Sequence, residues 1–398
     1  MPARLGRAFL FLILFFMTAF RLQTRLLAAA ALLLAGVPGC DATVQIGETE
    51  DEGPLAAAAA QAGSWIWVPV EGAKCRNGSD TGFGARLRKG SSRLLIYLEG
   101  GGACFNDATC RNNLDSFGRV AFGTFAANAH SDAGLFDTTR SENPVAGWNA
   151  AYVPYCTGDV HAGSARDVRV PGVDRDEDGQ DDLQQFLGHE NMKRYLDILS
   201  KRFAGEVEHV LLAGSSAGGF GTLVNYDATR EAFPEARVTL LDDSGPPVAD
   251  DGVLTPELEA RWMNLWNLER ALSPETRAAV QKNGLAAIYA RHAKRHPDQS
   301  FGLLSFLKDA TIRDFYGYRQ SGCDDPSHCV SGGAYANALR DMRDQAPAWS
   351  TFFVEGNDHT FLLEGRFYDT SSGGTPLPEW TRALVNGSDP PDAAPPAD

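Results

Sequence analysis

The stretch "HVLLAGSSAGGFGTLVNYD", His209 to Asp227, constrains the fold more than any other part of the chain. Val210, Leu211 and Leu212 form a continuous apolar run of the kind seen in strands buried on both faces, and it ends in a turn of small residues before a helical pattern. A strand that hands over to a helix in this way belongs to an α/β architecture with a mainly parallel sheet and helices on both faces. The same alternation runs along the chain. "RLLIYLEGGG" and "WNAAYVPYC" read as strands, "LQQFLGHENMKRYLDILSKRF" as an amphipathic helix, and "ARVTLLDDSG" and "FGLLSFLKDAT" as strands. "WSTFFVEGNDHTFL" reads as a last strand entering a histidine-bearing loop. Functional groups should gather where such strands end, at the carboxyl edge of the sheet.

Two serines share the turn. In a G-x-S-x-G turn the serine sits on strained backbone, and the residues two places away must be tiny for strand and helix to approach. Counted from Ser216 these are Gly214 and Gly218; counted from Ser215 they are Ala213 and Ala217, each with a Cβ where the turn is tightest. Ser216 is therefore the candidate nucleophile and Ser215 a support for the turn. A serine hydroxyl needs a base to take its proton, and in α/β hydrolases the order along the chain is Ser, acid, His. Of the four histidines after Ser216, His292 and His296 lie in the charged helical stretch "YARHAKRHPDQ" and read as solvated, while His328 sits in a small cysteine-bounded loop. Only His359 follows an apolar strand directly, so it is the candidate base. For the acid, Asp242 and Asp243 end one strand and Asp309 ends a later one, with Asp314 and Asp358 as alternatives. Asp309 is favoured because its strand is nearer in chain order to the histidine strand. In "LEGGGACF", Leu98 to Phe105, the glycines offer backbone N–H groups for an oxyanion hole built from Gly101, Gly102 and Ala217. The Lys-Ser/Thr pair of a phosphate-binding P-loop is missing.

The remaining features bound the setting. The 398 residues carry a formal net charge of -15, and the first forty contain four arginines and no acid, so their removal would leave -19. Such a surface repels phosphate backbones, which argues against nucleic acid as a partner. The apolar runs Phe9–Phe20 and Leu26–Cys40 are each shorter than the roughly 18 residues of a spanning helix. The second, following Arg21 and Arg25 and ending "VPGC", resembles a bacterial lipoprotein signal peptide over residues 1–40, with Cys40 as the acylated residue. A cell-envelope or secreted location follows, with membrane contact only through that lipid. Residues 41–63 read as a flexible tether, 64–385 as the catalytic domain, and "NGSDPPDAAPPAD", residues 386–398, as a disordered tail.

The six other cysteines, an even number in an exported chain, point to disulfides. The close pairs Cys104/Cys110 and Cys323/Cys329 can each close a short loop, leaving Cys75 with Cys156. In "PGVDRDEDGQDDLQ", Asp174, Asp176, Asp178 and Gly179 match the first half of a calcium loop with Asp182 at its ninth position. The twelfth is Gln185 rather than Glu, so the choice lies between structural calcium and an acidic hairpin. Trp262 and Trp266, spaced i, i+4, can face a substrate or pack in the core, and core packing is the commoner use.

The motifs "YLEGGGACFN", "NPVAGWNAAYVPYCTGDVHAG", "LLAGSSAGGFG", "LDDSG" and "GNDHTF" together resemble the pectin acetylesterase and Notum family of serine carboxylesterases, from about Cys75 to Leu362. The resemblance implies an α/β-hydrolase fold and a triad without a catalytic cofactor, falling on Ser216, Asp309 and His359. It maps the oxyanion donors to Gly101, Gly102 and Ala217, and implies the pairings Cys75–Cys156 and Cys104–Cys110. Gly102 stands where family members carry a bulky aromatic, which implies a more open pocket wall. The expected activity is hydrolysis of esters by a monomer, most simply O-acetyl groups on a polysaccharide. The alternatives are a deacylase of lipid-modified protein, a broad esterase, an amidase, and a surface-tethered glycan-binding pseudoenzyme. The negative charge counts against a polyanionic glycan.

Overall fold

The computed structural model describes Leu55 and residues 61–248, 252–317 and 329–395. The segments assigned to signal peptide and lipidated Cys40, nearly all of the tether, and the residues Cys323 and His328 lie outside these. No helix among the described residues is long and apolar enough to cross a membrane.

An eight-stranded sheet forms the frame. Its strands are β1 (Ile66–Lys74), β2 (Asp80–Arg86), β3 (Arg93–Leu98), β4 (Asn149–Val153), β7 (His209–Ser215), β8 (Arg237–Asp243), β9 (Phe301–Phe306) and β10 (Trp349–Val354); β5 (Ala165–Arg169) and β6 (Leu183–Phe186) make a separate hairpin. The order across the sheet is β1-β2-β4-β3-β7-β8-β9-β10. From β4 to β10 every neighbouring pair is parallel, while β1 and β2 add an antiparallel edge.

The period-two geometry of a strand makes two cores from one run of apolar residues. On β3, Leu94, Ile96 and Leu98 join one core, and Leu95 and Tyr97 the other; on β7, Val210 and Leu212 are opposed to Leu211 and Ala213. Helices then cover both faces. Of these, α1 spans Gly188–Arg202, α2 Ala217–Ala232, α3 Pro256–Leu265, α4 Ala310–Tyr316 and α5 Leu377–Asn386. Phe220, Leu223 and Val224 of α2 bury against one face, Leu377, Trp380 and Leu384 of α5 against the other. This is the α/β-hydrolase arrangement expected from the alternation.

Three readings are corrected. The helix read over 183–203 begins only at Gly188, because Leu183–Phe186 pairs antiparallel with Ala165–Arg169. Buried Gln184 accepts a hydrogen bond from the Arg76 guanidinium at 2.6 Å, and Asp159 accepts the Gly188 N–H at 2.7 Å where the helix starts. His292 is not solvated: it is 2% exposed, and its Nε2 bonds the Leu223 carbonyl at 2.7 Å. The C-terminal stretch is docked through residue 395 rather than disordered. Ala393 exchanges backbone hydrogen bonds with Thr351 and Phe353, and Asp392 accepts from Thr351. It covers β10, whose free edge would otherwise present unpaired backbone groups.

Candidate active site

Ser216 stands between β7 and α2 with φ 59° and ψ -121°, backbone that a non-glycine residue adopts only when its surroundings enforce it. The enforcement is visible at the two glycines. A Cβ on Gly214 would lie 2.4 Å from the Gly218 carbonyl oxygen, and one on Gly218 would lie 2.0 Å from that of Leu98. Alanine fits neither place, so the choice of Ser216 over Ser215 made from the glycines agrees with the backbone. Ser215 is buried and points away from the turn's outer face, donating to Asp243 Oδ2 at 2.6 Å and accepting from the Tyr97 hydroxyl at 2.7 Å.

His359 lies on the loop after β10. Its Nδ1 is 2.8 Å from Asp309 Oδ2, and Asp309 is fully buried. Asp309 also N-caps α4, its Oδ1 accepting the Ile312 N–H at 3.0 Å. One carboxylate oxygen thus fixes the acid and the other meets the imidazole. With Nδ1 donating, Nε2 is the ring's acceptor, and it has no hydrogen-bond partner. The two loops are laced together, since Lys308 N–H donates to the Gly356 carbonyl and Ala310 N–H to that of Asn357. The rival acids are engaged elsewhere. Asp242 accepts from the Tyr289 hydroxyl and the Gly245 N–H, Asp243 binds Ser215, and Asp314 and exposed Asp358 are not paired to His359.

Ser216 and His359 face one cavity of about 550 Å³, with Glu99, Gly101, Gly102, Phe117, Phe125 and Tyr152 among its walls, so much of its surface is aromatic. Gly101 and Gly102 have φ of 153° and 80°, and Asn113 holds this loop by donating to the Gly101 carbonyl at 2.6 Å. No acceptor among the described residues takes the N–H of Gly101, Gly102 or Ala217. Glu99, one residue before the glycines, was not singled out in the sequence. Burial pushes its carboxyl up, opposed by hydrogen bonds from the Tyr152 hydroxyl and the Tyr155 N–H. Its backbone carbonyl meets Nε2 of His161, a histidine that burial holds down to about 4 and therefore neutral.

A second, apolar slot of about 40 Å³ also borders Ser216, lined by Val160, Phe220, Trp262, Ile312 and Phe315. The open wall implied by Gly102 is not found. A Cβ there would be 2.9 Å from Cζ of Phe315, which fills the space from α4. Trp262 and Trp266 are buried and stacked 5.6 Å apart, Trp266 donating to the Cys104 carbonyl, so the pair is core and only Trp262 reaches the slot. A larger cavity, about 780 Å³ and bordered by Glu275, Arg291 and Gln345, holds none of these residues.

Cys75–Cys156 and Cys104–Cys110 are disulfides, the second tying the glycine loop to the short helix after it. Cys329 is also in a disulfide. Asp174, Asp176 and Asp182 bring one carboxylate oxygen each within 4.8 Å of one another; Asp178 is outside that group and accepts the Gln180 N–H.

A serine on such a turn, at the carboxyl edge of a mostly parallel sheet, marks an α/β hydrolase. Residues 61–284 match the profile described as Pectinacetylesterase, and the chain belongs to that family of carboxylic ester hydrolases. Among relatives, palmitoleoyl-protein carboxylesterase notum2 of Xenopus laevis is 34% identical over 179 residues, 43% of this chain and 34% of the relative. The human palmitoleoyl-protein carboxylesterase NOTUM is 31% identical over 178 residues, 43% and 34%. The matched stretch thus spans about a third of these relatives. The structure of the Wnt deacylase Notum from Drosophila superposes with a TM-score of 0.61 at 20% identity, covering 84% of this chain and 97% of that one, which is a likeness of fold. The family match ends before Asp309 and His359, so their pairing stands on the geometry above.

Proposed function

We propose that this chain is an exported serine carboxylesterase that removes short acyl groups, O-acetyl in the first place, from a carbohydrate. The observation that carries the reading is His359, bonded through Nδ1 to buried Asp309 and with Nε2 unpartnered, on the wall of the cavity that also holds Ser216. Ser216 Oγ attacks the ester carbonyl as His359 Nε2 takes its proton, and the oxyanion is met by the N–H groups of Gly101, Gly102 and Ala217. The imidazolium then protonates the leaving alkoxide. A water deprotonated by the same nitrogen attacks the acyl-enzyme, releasing the carboxylic acid and returning the proton to Ser216. Asp309 keeps the tautomer and offsets the imidazolium charge.

The substrate reading rests on the two cavities that border Ser216. A 40 Å³ apolar slot suits an acetyl group and not the long chain in the names of the vertebrate relatives, while the 550 Å³ cavity has the room for a bulky alcohol, with Phe117, Phe125 and Tyr152 as faces on which a sugar ring can stack. Parallel assays of p-nitrophenyl esters of rising chain length and of acetylated polysaccharides test it. Acetate release from a glycan is expected; a preference for octanoate, or no hydrolysis together with no fluorophosphonate labelling, would overturn it. Ser216→Ala should abolish both activity and labelling.

The disulfides support export, and a lipid on Cys40 is read out by mass spectrometry of the mature N-terminus. Structural calcium at Asp174, Asp176 and Asp182 is part of the same reading. Adding calcium to EDTA-treated protein should raise Tm, and an unchanged Tm with no heat of binding would dispose of it.

A further inference from the structure

Both aspartates of "LDDSG" are reasonable candidates for the triad acid by position, yet His359 pairs with neither. We propose that Asp243 is a positioning residue that holds the His359 loop in place against the nucleophile turn, with Ser215 joining the two; this rests on the Ser216–His359–Asp309 reading above.

Asp243 is the last residue of β8 and lies in register beside Ser215 of β7. Its backbone carbonyl accepts the Ser216 N–H at 2.7 Å. Its Oδ2 accepts three hydrogen bonds, from Ser215 Oγ at 2.6 Å and from the N–H groups of Phe361 and Leu362 at 2.9 and 3.0 Å. One residue therefore grips the turn that carries the nucleophile and the segment two and three places after the base. The intervening Thr360 has φ 62°, so the loop turns sharply there and depends on outside ties to keep its course. Asp243 and Tyr97 are fully buried and Ser215 nearly so. A buried carboxylate is costly unless its oxygens are hydrogen-bonded, and charge-assisted bonds are the strong kind.

The arrangement accounts for the second serine. Its hydroxyl passes a chain of hydrogen bonds from Tyr97 to Asp243, and alanine in its place would leave the Tyr97 hydroxyl and one lone pair of Asp243 without their partner. The titratable groups facing Asp243 are Tyr97 on β3, its chain neighbour Asp242 and His359; burial pushes the Asp243 carboxyl up, opposed by the hydrogen bonds from Phe361, Ser215 and Leu362 and, least, by the nearby imidazole.

The test follows the rate of fluorophosphonate labelling against pH, which reads Ser216 activation without needing the natural substrate. Asp243→Asn should fold, label about tenfold or more slowly, and have its acid limb moved to lower pH, since a negative charge near the imidazole is gone. A purely structural defect would slow labelling without moving the limb. Ser215→Ala should label about threefold more slowly with the limb unmoved, because the charge remains. Wild-type rate and limb in Asp243→Asn overturn the proposal, and if that variant does not fold, a wild-type rate in Ser215→Ala does the same. A wild-type protein that fails to label sinks the triad reading and this proposal with it; a labelling wild type with indifferent variants sinks the proposal alone.

Discussion

On the proposed short-acyl reading, replacing Phe315 by alanine should let the enzyme take longer acyl chains. The ring stands over Gly102, close enough that an added Cβ would meet it at 2.9 Å, and it bounds a slot of about 40 Å³ beside Ser216. Removing it lets a butyryl group place two more methylenes out of water. At about 0.8 kcal/mol each, these contribute about 1.6 kcal/mol, or roughly fifteenfold in the butyrate-to-acetate ratio of kcat/KM. Phe315 is only partly buried, so the variant should lose less than the roughly 3–5 kcal/mol typical of a core Phe→Ala change and remain folded. The assay is kcat/KM on p-nitrophenyl acetate, butyrate and octanoate for both proteins, with Tm as the control. An unchanged ratio in a folded variant would refute the assignment of the slot to the acyl group. So would a wild-type preference for octanoate, which would put the chain in the larger cavity instead.

Three other outcomes are expected. Asp309→Asn keeps the shape but favours the wrong imidazole tautomer, so kcat should fall by about 10⁴-fold, with a fall under tenfold counting against the triad. The Cys75–Cys156 disulfide spans 81 residues of chain, and its double serine variant should lose about 4–5 kcal/mol in a urea titration by the loop-entropy relation; a loss below about 1 kcal/mol would refute that estimate. His292 is held down to about 4 by burial against an unfolded value of 6.5, so the unfolded chain binds the extra proton and stability falls as pH drops from 6.5 towards 4. The stability advantage of wild type over His292→Gln should therefore shrink by about 3 kcal/mol between pH 7 and pH 4, measured by denaturant titration at each pH.

The strand–turn–helix around Ser216 was legible in residues 209–227 because the constraint is local. Tiny neighbours are a steric demand of the turn itself, and Gly214 and Gly218 record it in the sequence. The alternation of apolar runs likewise marked the parallel strands and the edge where the site lies. Asp309 and His359 were recoverable in part, since each follows an apolar strand and chain order favoured Asp309, but chain order says nothing of what Asp243 does instead. That depends on which way each carboxylate points once β7, β8 and β9 lie side by side.

Other features had no local signature. The docked C-terminal stretch looks unstructured by composition, and only the presence of the β10 edge gives its backbone a partner. His292 sits among charged residues yet is buried, because burial belongs to the face a helix turns inward and not to its neighbours in sequence. The open wall implied by Gly102 was closed by a ring 213 positions later, Phe315. Local sterics wrote the Ser216 turn and the layered fold into the sequence; the reach of the histidine loop, the choice among the aspartates and the size of the slot beside Ser216 were decided by contacts between distant segments, which exist only after the sheet has assembled.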